Sequence, residues 1–377
     1  MKEYENVIIG GGMVGSALGY GLAKAGRQVL VLDKGDRDLR AARGNFGLLW
    51  VQGKGADYPE YADWTLRSTQ LWPEFAKELL ELTGIDVQFR QRGGIHYCLD
   101  EEELQQYGEE LSQQATVTKG AFQYQMLDSS ELSELEPAIS KDIPGGGYSP
   151  NDGHVNPLLL LRAMQRGLQL AGGLYQAEQP VTEVEPKQDG FLIRTESGVI
   201  KCQRLILAAG FDNARLAPMV GLAQPLHPQR GQLLITERLP TLLNYPSIYL
   251  RQTGEGTIQI GDSAENSGFD DTNTAAVMAA LAQRAIRLLP ALGQSRIVRG
   301  WGALRVLTPD GYPVYEQTTG ALPEAFAFSC HSAVTLAAAH AQILPDLILS
   351  SSTDLLSAFS AKRFTEAGYV QTNSGAH

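Results

Sequence analysis

The sequence predicts an α/β protein in which a parallel-sheet domain is interrupted by a second, α+β domain built on an antiparallel sheet. Three observations carry this. Residues 7–33 read as strand, glycine-rich turn, helix and strand. A later run, Arg204-Leu-Ile-Leu-Ala-Ala-Gly210, supplies another strand of the same sheet, ending in small residues. Beyond Pro218 the pattern shifts to short alternating runs separated by Gly, Pro and Asn, which suits antiparallel strands. At 377 residues and 43% hydrophobic content, the chain can bury a core for both domains.

The first element carries the most chemistry. After the apolar Val7-Ile-Ile9 come Gly10, Gly12 and Gly15 in G-x-G-x-x-G spacing. The first glycine permits a tight turn, the second lets backbone approach a pyrophosphate, and the third lets helix pack closely on strand. The helix that follows turns unpaired N–H groups and its positive dipole end toward phosphates. Gln28-Val-Leu-Val-Leu-Asp33 is then a buried strand whose terminal acid, Asp33, is placed to accept hydrogen bonds from a ribose diol. This is a Rossmann-like beginning, common to NAD and FAD. FAD is favoured because Ala208-Ala-Gly210 allows close approach and Arg43-Gly-Asn-Phe-Gly47 offers a second glycine-containing loop for a longer cofactor. The motif also opens the chain. No second G-x-G-x-x-G occurs, which disfavours a separate NAD(P)H domain.

In order, the next elements are helices over 62–82, 101–114 and 129–135, then a turn at Pro144-Gly-Gly-Gly147. A helix over 158–171 is entered through Asn151-Asp-Gly-His-Val-Asn-Pro157, with Pro157 in its first turn, and stopped by Gly172-Gly173. Strands are predicted over 174–178, 181–185, 191–195, 199–202, 231–236, 247–251 and 257–261, and a helix over 274–289. The interruption predicts a discontinuous cofactor domain (1–84, 141–223 and 296–377) and a substrate or cap domain (85–140 and 224–295).

The net charge of −11 and pI near 5.1 argue against coating nucleic acid or anionic membrane. The amino-terminal pattern predicts no signal peptide, and no apolar run is long enough for a span, so a cytoplasmic protein is expected. Cys98, Cys202 and Cys330 are far apart with no C-x-x-C, and the six histidines do not cluster, so no metal or iron–sulfur ligation by this chain is expected.

Together these residues resemble the D-amino-acid oxidase (DAO-type) family of FAD-dependent amine and amino-acid oxidoreductases, whose FAD domain is glutathione-reductase-like. The resemblance spans nearly the whole chain. It rests on Gly10–Asp33, Arg43-Gly-Asn45, Ala208-Ala-Gly210, Arg230-Gly-Gln232, Leu304-Arg-Val-Leu-Thr-Pro-Asp-Gly311 and Ser329-Cys-His-Ser-Ala-Val-Thr-Leu336. Within the family the chain looks most like flavin subunits of bacterial opine and hydroxyproline oxidases or dehydrogenases, and like glycine oxidases. The resemblance implies oxidation of a carboxylate-bearing amine (amino acid, imino acid or opine) by hydride transfer from Cα–H to flavin N5. The imine product then hydrolyses to a keto acid, or stays cyclic for a proline-like substrate.

The resemblance also implies roles. Arg305 grips the substrate carboxylate; the alternative is a structural ion pair, with Asp310 as partner. Tyr249 orients substrate. His331 begins the final helix and positions groups beside the flavin. N–H groups of Ser332, Ala333, Val334 and Thr335 stabilise charge on its N1–C2=O edge. Gly10, Gly12, Gly15, Asp33, Arg43, Asn45, Val181 (through its backbone) and Gly210 complete the FAD site.

Ala303 stands where relatives carry a flavin-linking cysteine, so FAD is expected to be non-covalent. Gln259 stands where sarcosine-oxidase relatives carry an oxygen-promoting lysine, which points to another electron acceptor. Cys330 replaces the family's usual glycine and is read as a buried, inert thiol; the alternative is a reactive thiol acidified near a helix start. His154 is read as a turn residue; the alternative, from heteromeric sarcosine oxidases, is a histidine holding FMN at a subunit interface. The subgroup implies a larger alpha subunit and a small iron–sulfur subunit as partners. A NAD-binding dehydrogenase and a non-catalytic flavin electron-transfer subunit stay open as other readings.

Overall fold

The computed structural model describes residues 2–35, 41–350 and 357–366. Strand Lys2–Ile9 lies inside an eight-stranded sheet, parallel to Val29–Leu32 on one side and to Gly198–Leu207 on the other. Leu174–Gln176 extends the first side and Ala325–Ser329 the second, both in parallel; Val314–Gln317 adds an antiparallel edge. Val7 to Ile9 and Val29 to Leu32 are continuously apolar because both sheet faces are covered. Helices Met13–Lys24, Pro59–Thr83, Pro157–Leu170 and Ala337–Gln342 pack one face. The antiparallel pair Val181–Lys187 and Gly190–Thr195, with Leu216, Ala217 and Val220, covers the other. The runs read as 199–202 and 204–210 form one strand, Gly198–Leu207, because Gln203 between them faces outward without breaking the ladder.

A four-stranded antiparallel sheet, ordered Leu250–Gln252, Thr257–Ile260, His227–Arg238, Ile297–Leu307, forms the second core with helix Ala275–Leu288. Ile297–Leu307 therefore belongs to the second sheet, not to the cofactor segment expected to start at 296. The turn expected at 144–147 is also corrected. Gly145–Ser149 is the central strand of a small sheet, flanked by Gly94–Cys98 and Gln125–Asp128. Its glycines admit close neighbours: a Cβ would lie 2.1 Å from Leu127 O at Gly145, and 2.6 Å from the Tyr107 ring at Gly147. That strand likewise leaves the cofactor segment predicted over 141–223.

Candidate active site

One cavity of about 640 Å³ is lined by Gly10, Gly11, Gly12, Asp33, Asn45, Val181, Gly210, Arg305 and residues 329–335. Of the fifteen site residues expected from the sequence, twelve lie on this wall, and Gly15, Arg43 and Tyr249 do not. At the turn, Gly10 has φ +105°, and a Cβ there would lie 2.3 Å from Ala208 O. A Cβ on Gly15 would lie 1.8 Å from Gly10 O, so Gly15 serves helix–strand packing and does not line the cavity. A Cβ on Gly12 would meet nothing closer than Ala42 Cβ at 3.7 Å, leaving open space where backbone can meet a ligand. Asp33 is buried at the end of its strand; Oδ2 accepts the Gly11 N–H at 2.8 Å and Oδ1 the Gly35 N–H at 2.9 Å. Asn45 Oδ1 accepts the Gly47 N–H at 2.6 Å, fixing the second loop. The Val181 carbonyl accepts Arg215 Nη2 at 2.9 Å. Arg43 is exposed and lies outside the lining, which Ala41, Ala42 and Gly44 supply instead.

Residues 329–335 leave strand Ala325–Ser329 and cross the cavity as turns. The helix that follows begins at Ala337, not at His331 as expected, and helices Leu344–Ser350 and Arg363–Glu366 come after it in the chain. The N–H groups of Ser332, Ala333, Val334 and Thr335 donate to no group among the described residues. Free donors on a cavity wall suit an electron-rich ligand edge, so glycine turn, ribose acid and spare amides all fit a dinucleotide with a terminal ring. His331 is held well below its ordinary pKa by burial, with Lys54 and Arg305 adding positive charge, so its imidazole is neutral. Burial pushes the Cys330 thiol up to about 12, which makes it unreactive as a nucleophile. Ala303 lines the cavity against Gly44.

Arg305 lies on strand Ile297–Leu307, opposite Gln229, with its side chain 17% exposed. Its Nη1 donates to Ser263 O at 2.7 Å, and Nη2 pairs with Asp262 Oδ1. Asp310 pairs instead with Arg363, at 2.7 and 3.0 Å, so the ion pair weighed for Arg305 exists with a different partner. The guanidinium lies over Gly231, where a Cβ would sit 2.7 Å from Nη1.

Tyr249 is not on the cavity wall; its neighbour Ile248 is. The predicted strand over 247–251 pairs only over Leu250–Gln252, and Tyr249 turns into the second core. Its hydroxyl is 3.4 Å from Glu103 Oε1, and the Arg284 guanidinium lies 4.2 Å over its ring. Arg284 in turn donates to the carbonyls of Gly261 and Asp262, at 2.6 and 2.5 Å. Gln259 is buried as the acceptor of Arg251 Nε at 2.9 Å and does not face the cavity. His154 pairs with Leu48 and sits 3.4 Å from Arg251 Nη1; burial pulls it down to about 3.

Sequence reasoning missed Lys54. It lines the cavity, is buried, and donates to Ser332 Oγ. Burial lowers it to about 8, with Asp152 and Cys330 opposing. The only sequence signal is its setting in Gly53-Lys-Gly55 after the Arg43 loop. Among the described residues, no helix is long and apolar enough to cross a membrane, and no three His, Cys, Asp or Glu group to hold a metal.

The profile of FAD dependent oxidoreductases, DAO, matches residues 6–347. The chain is similar to one subunit of the opine oxidase from Rhizobium meliloti (42% identity over 366 residues) and to its namesake from Agrobacterium tumefaciens strain Ach5 (43% over 366 residues). Each match covers 97% of this chain and 98% of the relative. Among solved structures, glycine oxidase from Geobacillus kaustophilus matches with TM-score 0.87 and 27% identity, covering 96% of this chain and 98% of the other.

Proposed function

The chain belongs to the DAO family of FAD-dependent oxidoreductases, which act on amino acids, imino acids or related carboxylate amines, and from that premise we propose that it oxidises an opine-class substrate, a secondary amine bearing two carboxylates, with Arg305 holding the carboxylate beside the reacting carbon. Bound FAD supplies the acceptor for the hydride that leaves Cα, so the protein's own task is to bind and orient.

One observation carries the reading: the Arg305 guanidinium and the glycine turn line the same cavity. Although Asp262 and Ser263 take one N–H each, Nε and the second N–H of each Nη remain as donors. Charge-assisted bonds from that fork contribute about 1.5–3 kcal/mol each. Neutral His331 adds no positive charge against a substrate ammonium and serves as a positioning group. The opine assignment is supported by the two relatives named opine oxidase. Because those relatives are named as subunits, the enzyme is proposed to work with a partner chain.

The test is anaerobic mixing of flavin-loaded protein with opines, glycine, sarcosine, proline, hydroxyproline and D-amino acids, read as loss of flavin absorbance. Bleaching by opines ahead of the simple amino acids is expected. A flavin that no anionic amine bleaches, with or without the partner chain, would sink the proposal.

A further inference from the structure

Lys54 is a buried charge without an obvious structural use. Its loop is fixed from two sides. Trp50 N–H donates to Thr335 Oγ1 at 3.1 Å, while Gln114, fully buried on helix Glu101–Val117, bonds the Val51 and Lys54 carbonyls at 2.8 and 3.0 Å and the Gly53 N–H at 2.9 Å. The nearby Asp152 carboxylate does not bond the ammonium: it accepts the Val51 N–H at 2.5 Å and Gln52 Nε2 at 2.6 Å. Among the described residues the ammonium has one hydrogen-bond partner, the Ser332 hydroxyl, which also accepts Tyr61 OH at 2.8 Å. An ammonium carries three donors, and leaving two of them unanswered while dry is costly. Those donors sit on the wall of the cofactor cavity, joined through Ser332 to the stretch whose backbone N–H groups are also unspent.

We propose that Lys54 is the group that sets the reduction potential of the bound flavin, its ammonium lying with the 332–335 amides against the ring edge that gains negative charge on reduction. A fixed charge in a dry site interacts far more strongly than in water and needs no reorganisation as electrons arrive. Ser332 is then a positioning residue, since it holds the ammonium in place. The inference rests on the family's cofactor alone and not on Arg305 or the identity of the amine.

The test needs no substrate. Flavin-loaded wild type, Lys54→Met, Lys54→Gln and Lys54→Arg are titrated with sulfite, which adds to electron-poor bound flavins, and their two-electron midpoint potentials are measured against reference dyes. Sulfite binding about tenfold weaker in the uncharged variants is expected, with a potential lower by about 30 mV per tenfold; Lys54→Arg should recover most of both. If both uncharged variants lose flavin while Lys54→Arg keeps it, the requirement for charge is supported. Unchanged sulfite affinity and potential in either uncharged variant that retains flavin would overturn the proposal. The same holds if only the KM for an anionic amine rises, which would make Lys54 a substrate contact. If no amine bleaches the flavin but the sulfite and potential shifts appear, Lys54 keeps its role and only the opine reading fails.

Discussion

Arg305 and Asp262 form an ion pair on the cavity wall, so the cation proposed to hold the substrate already has a carboxylate beside it. A substrate carboxylate must share the guanidinium with Asp262, and the two substitutions should act in opposite directions. Arg305→Ala should raise the apparent KM for an anionic amine about 100-fold or more, from two lost charge-assisted bonds, while flavin stays bound. Asp262→Asn should lower it severalfold. Steady-state kinetics with flavin content measured in parallel checks both.

Gly231→Ala should mimic part of the arginine loss without touching charge. The new methyl would occupy space 2.7 Å from Arg305 Nη1, forcing the fork off Gly231. A raised KM with unchanged flavin content and unchanged Tm is expected.

Gly15→Ala should do the reverse, because its methyl would collide with the Gly10 carbonyl at 1.8 Å and backbone has to move. Overpacking of this kind costs about 1–3 kcal/mol, here at the turn that meets the cofactor. Colourless or weakly yellow protein with a lowered Tm is the expected outcome.

Glu136 gives a pH signature of stability. It is fully buried under the second sheet, accepts the N–H groups of Asn244 and Tyr245, and is raised by burial to about 7. With its folded pKa above the usual carboxyl value, the native state holds a proton that the unfolded chain has released. Its contribution is complete below about 4.5 and is lost as pH rises through about 7. Glu136→Gln keeps an acceptor and cannot ionise, so its Tm relative to wild type should improve between pH 5 and 7.5. Thermal melts across that range test the sign.

What the sequence disclosed follows a physical line. The places of Gly10, Gly12, Gly15 and Asp33 were legible because their settings are local: spacing alone fixes which glycine turns, which faces the open cavity and which packs. Arg305 was legible by resemblance, but its partner was not, since Asp262 meets it across 43 residues through sheet pairing. Tyr249 failed by a single position. Ile248 reaches the cavity while Tyr249, in the bend just before strand Leu250–Gln252, turns into the second core, a distinction that no periodicity in the sequence decides. Gly145–Ser149 hid because three glycines advertise a turn, whereas here they make room for Leu127, His96 and Tyr107. Lys54 hid because its hydrogen-bond partner among the described residues, Ser332, lies 278 residues away.

The stack of Arg284 on Tyr249 has a wider meaning. Since Arg284 also holds the backbone of Gly261 and Asp262, both on the cavity wall, the anchor of the arginine fork is fastened through Tyr249 to the interior of the second core. Taste for one amine over another can therefore drift through repacking of that interior, leaving the catalytic wall itself unaltered in sequence.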